Sequence, residues 1–379
     1  MLIKVNRPAR LAKMIMVQML MLLLLLTAAG CGGTKSANTE GQGTKTEDQT
    51  VKTEAQQPLV REITNLPQKV TIGIINSKAL PPQVVYGFQK GVYKGAFPAV
   101  EFMMILSKGH CDVAENMEKS AWDFMYLGTG PAIEFVNYGY DKWKPAQYTI
   151  LAGAQSGTST LMVKSDLSST QQLDGKTVGI TNKNNDKEML LNKMLAKAGL
   201  KTAALGGTVK VRYDDPVKLY NAYQKGEIQG FFPMPSMVSA LKKTGSKVLS
   251  DGTETEFGKD QSFSVFAVSN KFLKQYPEFT KEMVRLHVSN TEKAQANLDE
   301  LVNLTYTLEN SYFKNDPQLI LPKPEIRSIY TRLKTTYDPS LKYLQDSHQL
   351  LQDAKYVKAM PEFSRWADFT LLNEVLAEK

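Results

Sequence analysis

Short β-rich runs alternate with helical segments along most of the chain, and this alternation restricts the fold more than any other feature. Apolar runs such as Val70–Asn76, Val100–Leu106 and Thr177–Ile180 have the length of buried strands. Between such runs lie segments with helical spacing, of which Asp186–Leu200 is the clearest. After Lys271 the pattern is helical almost to the end. Alternating βα units predict an α/β fold of mainly parallel sheets with helices on both faces, and ligands bind beyond the carboxyl ends of such strands.

The first 30 residues have the organisation of a secretory signal. Four basic residues and no acid precede an apolar run from Ile15 to Ala29, which falls short of the roughly 20 residues that a bilayer-spanning helix needs. Small residues then lead into Cys31, and the stretch LTAAGC resembles the lipobox of bacterial lipoproteins, whose cysteine is lipidated. The resemblance implies a signal peptide at 1–30 and a lipid on Cys31 that anchors the chain to the extracytoplasmic side of the bacterial cell membrane.

The segment that follows Cys31 is too polar to fold by itself. From Gly32 to Gln57 it contains mostly Gly, Thr, Lys, Glu, Gln and Ser, with Val51 as its one large aliphatic residue. This composition predicts a disordered polar tether at 31–66. The alternative is a soluble secreted protein with an incidental cysteine. A tether is useful only when its far end is fixed, which favours the lipoprotein.

Charge and motif content argue against nucleic-acid binding and catalysis. The formal charge of +8 includes the four basic residues of the signal, so the mature chain is nearer +4, and no basic face interleaved with aromatic residues stands out. The sequence contains no P-loop, HExxH motif or nucleophile elbow. His110 lies beside Cys111, but neighbouring residues at the start of a helix point in different directions. We therefore expect a monomer with no enzymatic activity, cofactor or metal.

Four stretches, in order along the chain, resemble the solute-binding proteins of nitrate/sulfonate/taurine-type ABC importers. The resemblance implies a type 2 periplasmic-binding-protein fold, in which two lobes with mixed, mainly parallel sheets are joined by a two-segment hinge. Mapped onto this sequence, lobe 1 covers 67–159 and 262–379, and lobe 2 covers 160–261. The implied partners are a small-molecule solute and an ABC permease with its ATPase. The four stretches are Phe102–Gly139, Ala152–Leu200, Tyr220–Ser236 and Val265–Phe279.

Loops that follow strands and begin helices form the candidate solute site, because free N–H groups at helix starts suit anions and carbonyl-like groups. At Gly128–Pro131 the glycines let the backbone approach a ligand closely, and Thr129 adds a hydroxyl group. Thr181–Asp186 is the counterpart in lobe 2, where amides replace the Gly-Ser pair that the family often has. The candidate ligand-binding residues are Asn76, Ser77, Ser107, Lys108, Gly109, Thr129, Gly130, Gln155, Asn182, Asn184, Asn185, Met234 and Ser236.

Structural roles compete with binding at several of these positions. The Gly128–Pro131 stretch could be a tight βα turn, and Asn185 with Glu188 fits a capping box. The nearby stretch Asp214–Pro216 fits a helix N-cap followed by proline. Met234 stands where the family shows an acid, so this chain could take a less charged solute.

The leading hypothesis is a lipid-anchored receptor that captures a small organic or oxoanionic solute, nitrate-, sulfonate-, taurine- or pyrimidine-like, for an importer. One alternative is a pyrimidine-synthase-like enzyme of the same superfamily. The expected extracytoplasmic location and the lack of recognisable catalytic residues in the sequence disfavour it. The other is a ligand-sensing ectodomain partnered with a membrane kinase, and the sequence leaves this alternative open.

Overall fold

Two β-sheets organise the part of the chain that the structure, a computed structural model, describes. The described residues are 63–75, 80–107, 121–133, 147–157, 159–181, 183, 186–234, 237–252, 261–315, 320–353 and 362–379. All of them belong to one compact unit, Pro58–Lys379.

The first sheet has six strands in the order β11-β4-β10-β3-β1-β2. β1 is parallel to both β2 and β3, whereas β10 runs antiparallel to both β3 and β4. The strands are β1 (Lys69–Ile75), β2 (Glu101–Ser107), β3 (Phe124–Gly128), β4 (Tyr148–Ser156), β10 (Ser262–Ser269) and β11 (Lys334–Thr335).

The second sheet has five strands in the order β7-β6-β8-β5-β9. β6 is parallel to β7 and β8, and β5 is antiparallel to β8 and β9. The strands are β5 (Leu161–Val163), β6 (Thr177–Ile180), β7 (Lys210–Tyr213), β8 (Gly230–Phe231) and β9 (Lys247–Ser250). Both sheets are thus mixed, and the predicted α/β class is confirmed.

Eleven α-helices within the described ranges flank the sheets. Residues 129–133 are also helical, and three short 3₁₀ helices cover Thr170–Leu173, Ala203–Leu205 and Phe363–Arg365. None of the described helices combines the length and hydropathy of a membrane span. The α-helices are α1 (Pro82–Gln89), α2 (Val92–Ala96), α3 (Asp186–Lys197), α4 (Pro216–Gln224), α5 (Val238–Lys243), α6 (Asn270–Gln275), α7 (Pro277–Ala296), α8 (Leu298–Tyr312), α9 (Lys323–Arg332), α10 (Leu341–Asp353) and α11 (Thr370–Ala377).

Local chemistry explains where several helices begin and end. Asp215 caps α4, because its side chain accepts hydrogen bonds from the N–H groups of Val217 and Lys218, as the N-cap interpretation predicts. The segment from Pro81 to Tyr93 has the spacing of one helix, but the structure divides it into α1 and α2. Gly91 lies between them at φ +64°, a left-handed conformation that interrupts the helix and suits glycine.

Each sheet is covered on both faces by apolar side chains. One face of the first sheet packs against α1, α7, α8 and α9, and the opposite face against a cluster that includes Trp122, Ile133 and Trp366. On the second sheet, α3 covers one face and α4 with α5 covers the other. Burial on both faces accounts for the continuous apolar runs that mark the strands in the sequence.

The carboxyl-terminal segment contacts the first sheet and a helix that covers the second. β11 pairs with β4, and farther along Ala367 forms a bridge to Ile150 of the same strand. Between these contacts, Tyr343 and Leu344 of α10 pack against Met189 in the first turn of α3. α3 covers one face of the second sheet. The residues after β11 therefore link the two sheets by a route separate from the two chain crossings described below.

A buried histidine fastens α7 to the first sheet. His287 is 1% exposed; its Nε2 donates to the Gly153 carbonyl at 2.8 Å, and its Nδ1 accepts from the Tyr126 hydroxyl at 2.9 Å. The ring is stacked on Phe266, with centroids 4.7 Å apart. Burial lowers the pKa of His287 to about 4. The imidazole is therefore neutral in the folded protein.

This pKa predicts a loss of stability in acid. The unfolded chain binds a proton at His287 near pH 6.5 and the folded chain only near pH 4, so the free energy of unfolding falls between these values, by about 3 kcal/mol from this residue. Urea titrations at pH 7 and pH 4.5, run on the wild type and on His287→Gln, measure the effect. The wild type should lose more stability than the variant, and parallel losses would contradict the prediction.

Candidate functional site

Polar side chains collect at the carboxyl edge of the first sheet. β1, β2 and β3 are parallel, so Ser107, the last residue of β2, and Thr129, which follows β3, lie at the same edge. β10 runs the opposite way, which brings its first residues to this edge, with Ser264 opposite Gly128. β4 reverses again, so that Gln155 lies opposite Ser264. Adjacent strands are about 4.8 Å apart, so these residues form a row along the edge.

Hydrogen bonds join most of this row, but two of its polar groups have no partner among the described residues. Thr129 Oγ1 and Ser262 Oγ lie 3.0 Å apart, and Ser264 Oγ donates to Gln155 Oε1 at 3.3 Å. Gln155 Nε2 and Ser107 Oγ are buried and have no hydrogen-bond partner within the part of the chain that the structure describes. A buried polar group without a hydrogen-bond partner destabilises the folded protein by about 1–3 kcal/mol. The row can therefore accept a further polar partner at these two points.

The carboxyl edge of the second sheet presents a different set. β6 ends at Ile180, and α3 begins at Asp186 shortly after it. In the first turn of α3, the buried side chain of Glu188 accepts a hydrogen bond from the Tyr213 hydroxyl at 2.5 Å. β8 is followed by Met234, which is half-buried. The capping box that the sequence suggests involves Asn185, which lies outside the described residues.

Two chain crossings connect these edges. The first runs from Ser156, the last residue of β4, to Leu161, the first residue of β5, and both are at carboxyl edges. Five Cα–Cα steps separate them, so they lie within about 18 Å of each other. The second crossing runs from Ser250 of β9 to Ser262 of β10. The carboxyl edges of the two sheets are therefore held close together.

Arg332 fastens the first crossing to the carboxyl-terminal segment. Its Nη1 donates to Thr160 Oγ1 at 3.1 Å, and no described carboxylate forms an ion pair with it. Burial lowers the pKa of the Arg332 guanidinium below its ordinary value. Next to it, Gly157 adopts φ +147°, and its N–H donates to the carbonyl of Gln261 in the second crossing at 2.9 Å. Only glycine adopts that backbone conformation readily.

The structure gives the positions of five of the predicted ligand-binding residues. It brings Ser107, Thr129, Gly130 and Gln155 to one edge and places Met234 after a strand of the other sheet. Among the described residues, no three His, Cys, Asp or Glu side chains could jointly hold a metal ion. Several residues that the sequence analysis singles out lie outside the described residues: Cys31, Asn76, Ser77, Lys108, Gly109, His110, Cys111, Asn182, Asn184, Asn185 and Ser236.

Sequence reasoning missed four polar residues next to these. Ser262 and Ser264 alternate with Phe263 in a strand, and this period-two pattern is the signal that could have identified them as polar groups on one face. Thr160 and Arg332 carry no comparable signal, because they meet only through the fold.

Comparisons with known proteins support one family. A model of the NMT1-like family matches residues 67–304, more than half of the chain. The taurine-binding periplasmic protein of Escherichia coli (strain K12) is 26% identical over 155 residues, 41% of this chain and 47% of that protein. The chain therefore matches about half the length of this curated relative.

Two solved structures share the fold at low sequence identity. The periplasmic aliphatic sulphonate binding protein SsuA from Escherichia coli has a TM-score of 0.63 at 18% identity, covering 79% of this chain and 92% of its own. The periplasmic nitrate-binding protein NrtA from Synechocystis PCC 6803 has a TM-score of 0.64 at 13% identity, covering 83% and 89%. These likenesses confirm the periplasmic-binding-protein fold that the sequence resemblance implied. The chain belongs to the NMT1-like family.

Proposed function

We propose that this protein is a lipid-anchored, extracytoplasmic solute-binding protein of an ABC importer. It captures a small organic or oxoanionic solute between lobe 1 (67–159 and 262–379) and lobe 2 (160–261). One observation carries the proposal: both crossings join the sheets at their carboxyl edges, where ligands of α/β folds bind. A solute between the edges contacts both lobes, and rotation about the crossings opens and closes the site.

The unpaired groups at the edge of lobe 1 favour a solute that is rich in hydrogen-bond acceptors. Gln155 Nε2 can only donate, and Ser107 Oγ can donate or accept. Arg332 adds a positive charge at the hinge without a described carboxylate partner. Sulfonate, nitrate, carboxylate and pyrimidine-type carbonyl groups all supply acceptor oxygens. The names of the relatives, which bind taurine, aliphatic sulphonates and nitrate, agree with this class.

The partners in this proposal are a membrane permease and its ATPase, to which a monomeric receptor delivers the solute. The lipid on Cys31 and the tether at 31–66 keep the receptor near the permease and raise its effective concentration there. We assign no catalytic step, because the row at the edge of lobe 1 consists of neutral hydroxyl and amide groups. Its members are Ser107, Thr129, Gln155, Ser262 and Ser264. Such groups bind a solute without activating a nucleophile.

A thermal-shift screen tests the proposal. The protein lacking residues 1–31 is screened against sulfonates, nitrate, carboxylates and thiamine-type pyrimidines. A ligand that binds only the folded state raises the melting temperature by mass action. At least one compound should do so in a saturable manner, and a panel without any shift would contradict the proposed function.

Removing the side-chain amide of Gln155 should weaken binding of the compound found in that screen. Gln155→Leu keeps the size of the side chain and deletes the donor, and one hydrogen bond to an anionic group is worth about 2 kcal/mol, or about 30-fold in Kd. Calorimetric titration measures the change. Gln171→Leu, at an exposed position in lobe 2, is the matched control and should bind as the wild type does. Equal affinities in the two variants would show that Gln155 does not contact the solute.

A further inference from the structure

Exposed lysines collect at the edge of the second sheet where its parallel strands begin, opposite the edge that carries the candidate site. β6, β7 and β8 all start at this edge. Backbone hydrogen bonds join neighbouring positions there: the N–H of Lys210 donates to the carbonyl of Lys176 at 2.9 Å, and the N–H of Val209 donates to the carbonyl of Lys201 at 3.3 Å. We call six exposed lysines at this edge the basic pole: Lys176, Lys201, Lys210, Lys225, Lys242 and Lys243.

Two helix ends bring the other three lysines to the same edge. Lys225 is the C-cap of α4, five residues before β8 begins. Lys242 and Lys243 end α5, and a short turn leads from them to Lys247, the first residue of β9. β5 is antiparallel to both β8 and β9, so β9 starts at the same edge as β8. The outermost strands, β7 and β9, are four strand spacings or about 19 Å apart, so the basic pole is one continuous surface.

Few acids offset this charge. Within the described ranges, none of the six lysines forms an ion pair. Three acids accompany the basic pole, and one of them, Glu227, is already paired with Arg212 at 2.7 Å. The other two are Asp166 and Asp174, which form no ion pair among the described residues. Six positive charges therefore meet two available negative charges.

The needs of the fold explain only part of the basic pole. The last turn of α5 contains two of the lysines, where the helix dipole favours a cation. Lys210 begins β7 and Lys176 precedes β6, where no helix dipole acts and the dipoles of strands are small. At the same edge of the first sheet, Lys69 is partnered instead, with its Nζ 4.0 Å from Oε1 of Glu101 on the neighbouring strand. The second sheet thus concentrates positive charge that the first sheet neutralises.

We propose that the basic pole binds the anionic phospholipid surface of the membrane to which the chain is anchored. Phosphatidylglycerol and cardiolipin, the anionic phospholipids of bacterial membranes, give a bilayer a negative surface that attracts lysines within about 10 Å. A bilayer presents many such charges at once, which suits six lysines spread over one edge of a sheet. The choice of a membrane rests on the proposed function, which places a lipid on Cys31.

The anchor allows lobe 2 to reach the bilayer. Thirty-two Cα–Cα steps separate Cys31 from Ile63, the first described residue, so this stretch spans at most about 110 Å. Ile63 packs against the core of the first sheet, so the anchor holds lobe 1 while the basic pole holds lobe 2. Contact at the basic pole leaves the candidate site uncovered, because that site lies at the opposite edge of the second sheet.

Vesicle sedimentation tests the proposal with the protein lacking residues 1–31, which contains the whole compact unit Pro58–Lys379 and has no lipid of its own. Phosphatidylcholine vesicles with about 40% phosphatidylglycerol should bind the protein, and vesicles of phosphatidylcholine alone should not. Raising the NaCl concentration from about 0.05 M to about 0.5 M should release it, because salt screens exposed charges.

Two double variants locate the contact. Lys242→Gln with Lys243→Gln removes two charges at the end of α5, and Lys176→Gln with Lys210→Gln removes two at the strand starts. Each double variant should bind the phosphatidylglycerol vesicles about 10-fold more weakly than the wild type. Both should keep the wild-type thermal shift with the solute, because neither pair lies at the candidate site.

A matched control removes the same number of charges from lobe 1. Lys274 and Lys314 are exposed, and neither forms an ion pair with a described residue. Lys274→Gln with Lys314→Gln should bind the vesicles as the wild type does. If this control loses as much affinity as the two pole variants, the vesicles respond to total charge and the proposal is overturned.

The remaining outcomes separate this proposal from the proposed function. A wild type that does not bind phosphatidylglycerol vesicles, or binds both kinds of vesicle equally, overturns the membrane contact. If the thermal-shift screen nevertheless finds a solute, the proposed function stands without it, and an acidic protein surface becomes the partner to test. If the vesicles bind through the basic pole while no compound shifts the melting temperature, the membrane contact stands and solute binding fails.

Discussion

Replacing Gly153 by alanine should destabilise the protein by about 3 kcal/mol or more. A Cβ atom at this position would lie 2.0 Å from the carbonyl oxygen of Asp338 and 2.5 Å from its carbonyl carbon. Both are backbone atoms, which cannot rotate away as a side chain can. The Gly153 N–H also donates to the Tyr337 carbonyl at 2.9 Å, and its carbonyl accepts from His287. The substitution must therefore separate β4 from the segment after β11 or distort both.

Chemical denaturation measures this effect, with Gly95→Ala as the matched control. Gly95 lies in α2 with nothing within 4 Å of its virtual Cβ, so alanine there should be neutral or stabilise by up to about 1 kcal/mol. If Gly153→Ala unfolds at the same denaturant concentration as the wild type, the segment after β11 does not pack on β4 as described.

Changing Cys31 to serine should move the protein from the membrane fraction to the soluble fraction. The proposal attaches a lipid to the sulfur of Cys31, and acyl chains contribute about 0.8 kcal/mol per buried CH₂ to membrane binding. Serine has no thiol to receive the lipid. Fractionation of cells that express the full chain, followed by immunoblotting, measures the distribution, and metabolic labelling with palmitate reports the lipid itself.

Cys111→Ser controls for the loss of a thiol in general. It should stay in the membrane fraction and keep the palmitate label, because Cys111 lies far from the signal. A Cys31→Ser protein that still sediments with membranes, or a wild type that takes up no label, would contradict the anchor and favour the soluble secreted alternative.

Features that depend on local chemistry could be predicted from the sequence. The strand at Thr177–Ile180 and the helix at Asp186–Lys197 follow from apolar runs and helical spacing. The cap at Asp215 follows from an acid placed before a proline. In each case the residues that decide the structure are neighbours in sequence, so one sequence contains the necessary information.

Features that depend on distant pairing could not be predicted in the same way. Nothing within β11 marks Lys334–Thr335 as a strand; it becomes one by pairing with β4. The antiparallel direction of β10 is likewise set by the chain returning from the second sheet. Helical spacing also continues through Gly91, whose backbone conformation nevertheless ends the helix.

In the candidate site, too, some residues could be predicted from the sequence and others could not. The sequence predicts Thr129 and Gln155 as binding residues, but their partners Ser262 and Ser264 are 133 and 109 residues away. The Arg332 contact with Thr160 spans 172 residues. A site made of two sheet edges is assembled by the order of the strands, so its complete membership appears only when the fold is known.

A solute bound between the carboxyl edges of the two sheets should slow amide exchange at both edges. Hydrogen exchange with mass spectrometry measures this in the protein lacking residues 1–31, with and without a saturating compound from the thermal-shift screen. We predict slower exchange both in peptides that cover Ser107, Thr129 and Gln155 and in peptides from the start of α3 and the end of β8. Protection confined to one sheet, or absent from both edges while the melting temperature rises, would contradict the account.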